Sequence, residues 1–221
     1  GLSRWRCGRS CVEGVAVNIE ALVRAALLED VGTGDITTEA CVDPGMEGEA
    51  LIRAKAKLVV CGHAPAKETF DQVRAVYQEL VPDGTLVEPG TPVASITGPM
   101  RSLLTGERVA LNFLMRLSGI ATHTRSCVAA AGGLKVVDTR KTTPVHRALE
   151  KHAVRMGGAD NHRFALYDAV LIKENHIMAS GGVVAAVQRA KVAVAGRLGV
   201  QVEVETLAQL DAAIGAGADA V

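Results

Sequence analysis

The sequence predicts a chain of α+β and α/β character: a small N-terminal α/β sandwich domain, then a parallel β/α barrel domain truncated at its C-terminus. Three observations predict it. Residues 47–98 hold short β-like runs, EALIRAKAKLVVCGH, GTLVEPG and TPVASITG, around one helical run, KETFDQVRAVYQEL, the grammar of a small α+β sandwich. From Leu134 onward, short apolar strands (LKVVD, AVLIK, QVEVE, ADAV) alternate with helical stretches such as GVVAAVQRAKVAVA and LAQLDAAIGAG, which is the order of a parallel sheet. The sequence ends inside its last apolar run, GADAV, and four strands are fewer than a closed barrel needs.

In chain order, residues 1–17 lack periodicity and are expected to be a disordered leader or an expression remnant. From Asn18, a plausible N-cap, the run IEALVRAALLED sets Ile19, Leu22, Val23, Ala26 and Leu27 on one helical stripe. The two glycines of VGTGDITT then predict a tight turn before a strand. Residues 102–122 carry the most continuous helical pattern, with Ser102 or Thr105 as cap and Gly119 as stop, and are expected to link the domains. The domains are accordingly drawn at 18–118 and 119–221. Arg108 is expected in the first turn of the linking helix, where the dipole disfavours a cation, so a partner or ligand should hold it; Glu107 beside it is the simpler counter-charge.

The organising stretch is Asp138–His176. It opens with a strand, VVD, ending in Thr139-Arg140-Lys141, and closes with a strand, AVLI, ending in Lys173. Between them a helix carries Leu149, Ala153 and Met156 on one face, stops at Gly157-Gly158, and leads to His162-Arg163. Ligand sites in parallel α/β architectures form where strands hand over to loops, so these basic residues suit an anion site better than a solvated charge run. Glu203 and Glu205 alternate with Val202 and Val204, which predicts both carboxylates on one face of a strand. Such acids need a cation, either a lysine or arginine or a Mg2+ shared with substrate phosphates.

Composition sets the outer limits. Hydrophobic residues make up 48% of 221, enough for substantial cores. No uninterrupted apolar run approaches the roughly 20 residues of a membrane helix, and Arg4, Arg6 and Arg9 precede no hydrophobic signal region, so no membrane role and a cytoplasmic location are expected. The five cysteines are scattered without CxxC or His–Cys spacing, which favours reduced thiols. At 3% aromatic residues there is no stacking platform for nucleic acid. Net charge is zero, yet residues 101–163 hold eleven Lys or Arg against four Asp or Glu, a concentration suited to a small anion.

The motifs DTRKTTP, EKHAVRMGGADNHR and LIKENH, with LLEDVGTGDITT at 27–38 and GERVALNFLMRLSGIAT at 106–122, resemble the quinolinate phosphoribosyltransferases over roughly residues 20–221. One departure is local: after TTP that family usually has Gly and then Leu or Phe, where this sequence has Val145-His146. The resemblance implies two substrates, quinolinate and phosphoribosyl pyrophosphate, and Mg2+ as cofactor. Nicotinate mononucleotide, pyrophosphate and carbon dioxide would be the products. It implies that Arg108, Thr139, Arg140, His162, Arg163 and Lys173 bind substrate, and that Lys141, Lys173 and Glu205 serve catalysis. Glu205 would take the metal ahead of Glu203. It further implies a homodimer with composite active sites, or a higher homo-oligomer, and a C-terminal segment beyond Val221 that binds the 5′-phosphate. Two other readings remain at this point: a Schiff-base lysine at Lys173, and an inactive relative that binds a phosphate or oxyanion for transport or regulation.

Overall fold

The computed structural model describes residues 18–221, so the expected leader at 1–17 lies outside the described residues. The described chain divides into two compact units, 18–162 and 163–221.

In the first unit, α1 (Ile19–Val31) starts where Asn18 Oδ1 accepts from Ala21 N at 3.0 Å. This side-chain cap satisfies one of the orphan donors of the first turn. Its expected stripe packs inward, with Val23 and Leu27 buried and Ile19, Leu22 and Ala26 against the same cluster. The VGTGDITT segment turns, but not into a strand. Asp35 Oδ1 accepts from Thr38 N at 3.0 Å and starts a short helix, α2 (Ile36–Cys41).

A three-stranded antiparallel sheet follows, built from β1 (Glu47–Arg53), β3 (Val76–Glu79) and β5 (Pro92–Pro99) in the order β1-β5-β3. A two-stranded ribbon pairs β2 (Leu58–Val59) with β4 (Leu86–Val87). The single helix expected over 67–80 is instead α3 (His63–Gln72) followed by β3. The break comes at Arg74, which sits at φ +65°, a conformation that an α-helix does not continue through. Tyr77 then turns inward beside Phe70, with ring centroids 5.8 Å apart.

Helix α4 (Met100–Ala130) is the spine of this unit. Leu103, Ala110 and Leu114 face the sheet cluster, while Val109, Phe113, Leu117 and Ala121 join the α1 cluster. Gly119 does not end it, because that position is exposed with open space around it, and the roughly 1 kcal/mol cost of an interior glycine is outweighed by the packing on both sides. Neither Ser102 nor Thr105 caps it; the N-cap position is Pro99. The expected domain boundary at 118/119 lies within the length of α4, and the compact units part at His162/Arg163 without deciding that boundary.

Two glycines permit close approach to α4. A Cβ on Gly62 (φ +118°) would lie 3.2 Å from Leu114 Cα and Phe113 O, and one on Gly157 would lie 2.5 Å from Ala121 O. The second contact seats the C-terminal end of α5 (Arg147–Met156), whose Leu149 and Ala153 are buried in the α1 cluster, with Met156 packed against it.

The expected strand LKVVD is reduced to a single parallel bridge, Val137 to Asp160. Val137 and Leu134 are exposed, so no hydrophobic face holds a longer ladder there.

In the second unit, β6 (Val170–Ile172) and β7 (Val200–Val202) pair in parallel, with α6 (Glu174–Ser180) and α7 (Val183–Val194) between them and α8 (Leu207–Gly215) after. Ile172, Val183, Ala186, Val187, Val200, Val202 and Ala213 form one core. The ADAV run adds an isolated bridge, Gln201 to Ala220. No single helix among the described residues is long and apolar enough to cross a membrane.

Candidate functional site

In the first unit, the basic loop is held by charges that the sequence pattern left unassigned. Asp138 Oδ1 lies 2.6 Å from Lys151 Nζ and accepts from His162 N at 2.8 Å, while Oδ2 accepts from Asn161 Nδ2 at 2.7 Å. Lys151 Nζ also donates to His162 O at 3.1 Å. One buried carboxylate and one buried ammonium thus tie the end of the VVD segment to the ADNH loop and fix His162, a geometry that a one-residue slip would destroy. The clue in the sequence was Lys151, on the helix face beside Leu149 and Ala153, where a lysine needs a carboxylate.

A second clamp shapes the TTP turn. Thr143 Oγ1 donates to Glu150 Oε1 at 2.8 Å, Thr143 N donates to Oε2 at 3.2 Å, and Arg116 Nη2 donates to Oε1 at 2.8 Å. Burial works against the charge on Glu150, but the bonds from Arg116 and Thr143 outweigh it and hold the carboxyl below its ordinary value. Arg147 Nε donates to Thr142 Oγ1 at 3.1 Å, and Thr139 Oγ1 accepts from Lys141 N at 3.1 Å. Val145 closes the turn at φ +61° with its side chain exposed, and the His146 ring sits 6.2 Å from that of Phe113. The turn therefore forms with Val145-His146 in place.

Within this frame, Lys141 is exposed, and Arg140 is partly buried. Among the described residues, Arg140 Nε is a buried side-chain donor with no hydrogen-bond partner. Native proteins rarely leave such a donor unmet, because its desolvation goes uncompensated. A carboxylate or phosphate oxygen is the partner it fits.

Arg108 is not in the first turn of its helix. It is the ninth residue of α4, exposed, with Val109 and Ala110 buried beside it. The dipole argument for a special partner therefore does not apply there.

The second unit carries the other half of the expected residues. Arg163 is 8% exposed and donates through Nη1 to Ala169 O at 3.3 Å. Asp168 accepts from Phe164 N and Ala165 N at 2.6 and 2.8 Å, which fixes the loop after Arg163. Lys173 follows β6 as the N-cap of α6, and His176 Nδ1 accepts from its backbone N–H at 3.0 Å. Lys173 Nζ pairs with Glu203 Oε2 at 2.9 Å.

Glu203 and Glu205 do not share a strand face. Strand β7 ends at Val202, and both acids lie in the loop beyond it. The ladder stops there, although Glu203 N still donates to Ile172 O at 2.9 Å. Lys173, Glu203 and Glu205 nonetheless line one cleft of about 230 Å³, together with Glu174, Asn175 and Gln209. Gln209 Oε1 accepts from Glu205 N at 2.8 Å, holding the backbone there. A half-exposed, ion-paired Lys173 is not in the apolar pocket that a Schiff-base nucleophile requires.

Comparison with known proteins bears on both units. Residues 35–118 match the family described as quinolinate phosphoribosyl transferase, N-terminal domain, and residues 120–221 match the C-terminal domain of the same name. The chain is 43% identical over 209 residues to a probable carboxylating nicotinate-nucleotide pyrophosphorylase of Bacillus subtilis, covering 93% of this chain and 72% of that one. It is 44% identical over 197 residues to the carboxylating nicotinate-nucleotide pyrophosphorylase of Mycobacterium leprae, covering 86% and 69%. Among solved structures, the nicotinate-nucleotide pyrophosphorylase of Francisella tularensis superposes with a TM-score of 0.88 at 39% identity, covering 94% of this chain and 75% of that one.

Proposed function

Because the chain belongs to the quinolinate phosphoribosyltransferase family, we propose that its two clusters of basic and acidic loops divide that family's reaction between them. The reaction is transfer of phosphoribosyl from phosphoribosyl pyrophosphate to quinolinate with decarboxylation, giving nicotinate mononucleotide, pyrophosphate and carbon dioxide for NAD biosynthesis. The reading of an inactive oxyanion binder is not favoured, because the relatives are carboxylating nicotinate-nucleotide pyrophosphorylases and the turn forms with Val145-His146 in place, at the strain of a positive φ at Val145.

The observation that carries the site assignment is the unmet Nε–H of Arg140. In our reading, Arg140 grips one quinolinate carboxylate, and Arg108, Thr139 and His162 of the first unit and Arg163 of the second are further substrate-binding residues. An arginine fork matches a carboxylate in two bonds, so it orients the ring as well as binding it. Orientation is most of what this chemistry needs. The ring nitrogen attacks the anomeric carbon while the bond to pyrophosphate breaks, and Lys141 and Lys173 offset the negative charge of the leaving group. The 2-carboxylate then leaves as carbon dioxide, its electron pair held at the ring carbon beside the cationic nitrogen and later taking a proton.

The carboxylates of the cleft fit a hard cation. Glu203 is already matched by Lys173 at 2.9 Å, whereas Glu205 lines the same cleft with its backbone held by Gln209, so Glu205 is the better ligand for Mg2+. When bound, the ion would add positive charge beside the pyrophosphate oxygens. The same reading includes a sandwich and a β/α barrel as the full architecture, and a homodimer in which Arg108 reaches the partner's site. It also places the protein in the cytoplasm; Cys41, Cys61 and Cys127 are unbridged, as reduced thiols there would be.

The test is steady-state release of carbon dioxide in the presence of phosphoribosyl pyrophosphate and Mg2+. Release that depends on quinolinate supports the reading; release absent under saturating substrates contradicts it.

A further inference from the structure

Three side chains from separate elements of the first unit, none of them among the groups that hold the basic loop, bring metal-type donor atoms together. Cys61 precedes α3, Asp83 lies in the turn before β4, and His152 is on α5. Their Sγ, carboxylate oxygen and imidazole nitrogen all lie within 4.8 Å of one another. Asp83 Oδ2 is 2.9 Å from His152 Nε2 and 3.8 Å from Cys61 Sγ.

The other carboxylate oxygen is committed elsewhere. Asp83 Oδ1 accepts from Gly62 N at 3.0 Å and His63 N at 3.4 Å at the start of α3. His63 stands nearby, with Nε2 3.9 Å from Oδ1, but its ring is engaged by Tyr77 Oη and Val81 O, each at 2.7 Å. Cys61 is fixed at its backbone, where its N–H donates to Ser118 Oγ at 3.0 Å and its carbonyl accepts from the same hydroxyl at 3.0 Å. The carboxylate is therefore oriented by partners that leave Oδ2 aimed at a sulfur and an imidazole, the arrangement by which outer contacts fix a metal ligand.

We propose that Cys61 Sγ, Asp83 Oδ2 and His152 Nε2 form a binding site for a borderline-soft divalent metal ion of the Zn2+ class, separate from the substrate site. With Zn–S near 2.3 Å and Zn–N or Zn–O near 2.0–2.1 Å, a tetrahedral ion sets S···O at about 3.5 Å and N···O at about 3.3 Å. The distances found are each within about 0.5 Å of these. Mg2+ does not suit the site, since it takes oxygen ligands in octahedral array. The His152 side chain is 37% exposed, which gives an entry path and room for water as the fourth ligand. Coordination replaces the Cys61 S–H bond with a sulfur–metal bond and releases that proton to solvent. The imidazole carries its proton on Nδ1 while Nε2 binds. An ion there ties the start of α3, the turn at Asp83 and α5 into one staple.

The experiment is titration of the reduced chain with Co2+ and Zn2+, each read in wild type, Cys61→Ser and His152→Gln. A saturable thiolate-to-cobalt charge-transfer band, displaced by Zn2+, is expected in wild type and lost in Cys61→Ser. The substitution keeps Cys127 and His123, which lie 3.7 Å apart on α4 and offer only two donors, so a band from that pair would persist. His152→Gln retains an amide donor toward Asp83, and its Zn2+ affinity should fall by at least about tenfold. Zn2+ should raise the melting temperature of wild type and not of His152→Gln. Absence of the band in wild type, an undiminished band in Cys61→Ser, or unchanged Zn2+ affinity in His152→Gln overturns the proposal.

Discussion

Lys151 Nζ lies 2.6 Å from Asp138 Oδ1, and the two side chains are only 5% and 8% exposed. Around this pair the backbone of His162 is held from both sides, with its N–H bonded to Asp138 and its carbonyl to Lys151. A buried pair adds little net stability compared with an apolar replacement of both partners, but losing one partner leaves a charge stranded. Lys151→Met should therefore lower the unfolding free energy by about 3–5 kcal/mol in a denaturant titration. A loss under about 1 kcal/mol, the size of an exposed pair, would contradict the account.

Val145 occupies a backbone conformation that suits glycine, at φ +61°. Strain of this kind costs of order 1–3 kcal/mol, and glycine gives back roughly 0.5–1 kcal/mol through its freer unfolded chain. Val145→Gly should stabilise by about 1 kcal/mol, which raises the melting temperature by about 2–4 °C in a chain of this size. Its side chain is exposed, so no packing is lost. An unchanged or lower melting temperature would show that the turn is not strained.

The two acids of the second-unit cleft should separate. Glu205→Gln should weaken Mg2+-dependent use of the phosphoribosyl donor more than it weakens quinolinate binding, since Glu203 is engaged by Lys173 and Glu205 forms no ion pair among the described residues. Glu203→Gln is the comparison, and it should chiefly disturb Lys173. Equal Mg2+ dependence in Glu205→Gln and wild type would remove Glu205 from the metal.

If Arg108 serves the partner's site, two inactive variants should rescue one another. Co-refolded Arg108→Ala and Lys141→Ala chains pair at random, half of the dimers are mixed, and each mixed dimer holds one intact site. Roughly a quarter of wild-type activity should return. No recovery would place Arg108 in its own chain's site.

Much of this molecule was legible in the sequence where pattern and chemistry agree. The Asn18 cap, the α5 face of Leu149 and Ala153, and the parallel strands at AVLI and QVEVE follow from periodicity and capping. Misreadings came where packing overrode local signals. Gly119 reads as a stop, yet α4 continues because flanking residues bury on two sides; AVYQEL reads as helix, yet Arg74 turns the chain and Tyr77 finds the sheet core. Some site residues that motifs single out, Arg108 and Lys141, carry exposed charge, whereas the acids that hold the loops, Asp138 and Glu150, are recognised by their burial and partners rather than by any motif.

The central claim is that Arg140 awaits a substrate carboxylate, and kcat/KM for quinolinate in Arg140→Ala and Arg140→Lys, measured beside their melting temperatures, tests it most directly. Loss of a charge-assisted contact to a buried carboxylate costs roughly 2–5 kcal/mol, so Arg140→Ala should fall roughly 30- to 5000-fold. Arg140→Lys should also fall, because a point charge does not reproduce the fork. Melting temperatures should hold or rise, since the substitution removes an unmet buried donor. Near-wild-type kcat/KM in either variant, or a loss of activity that tracks a loss of fold, would contradict the claim.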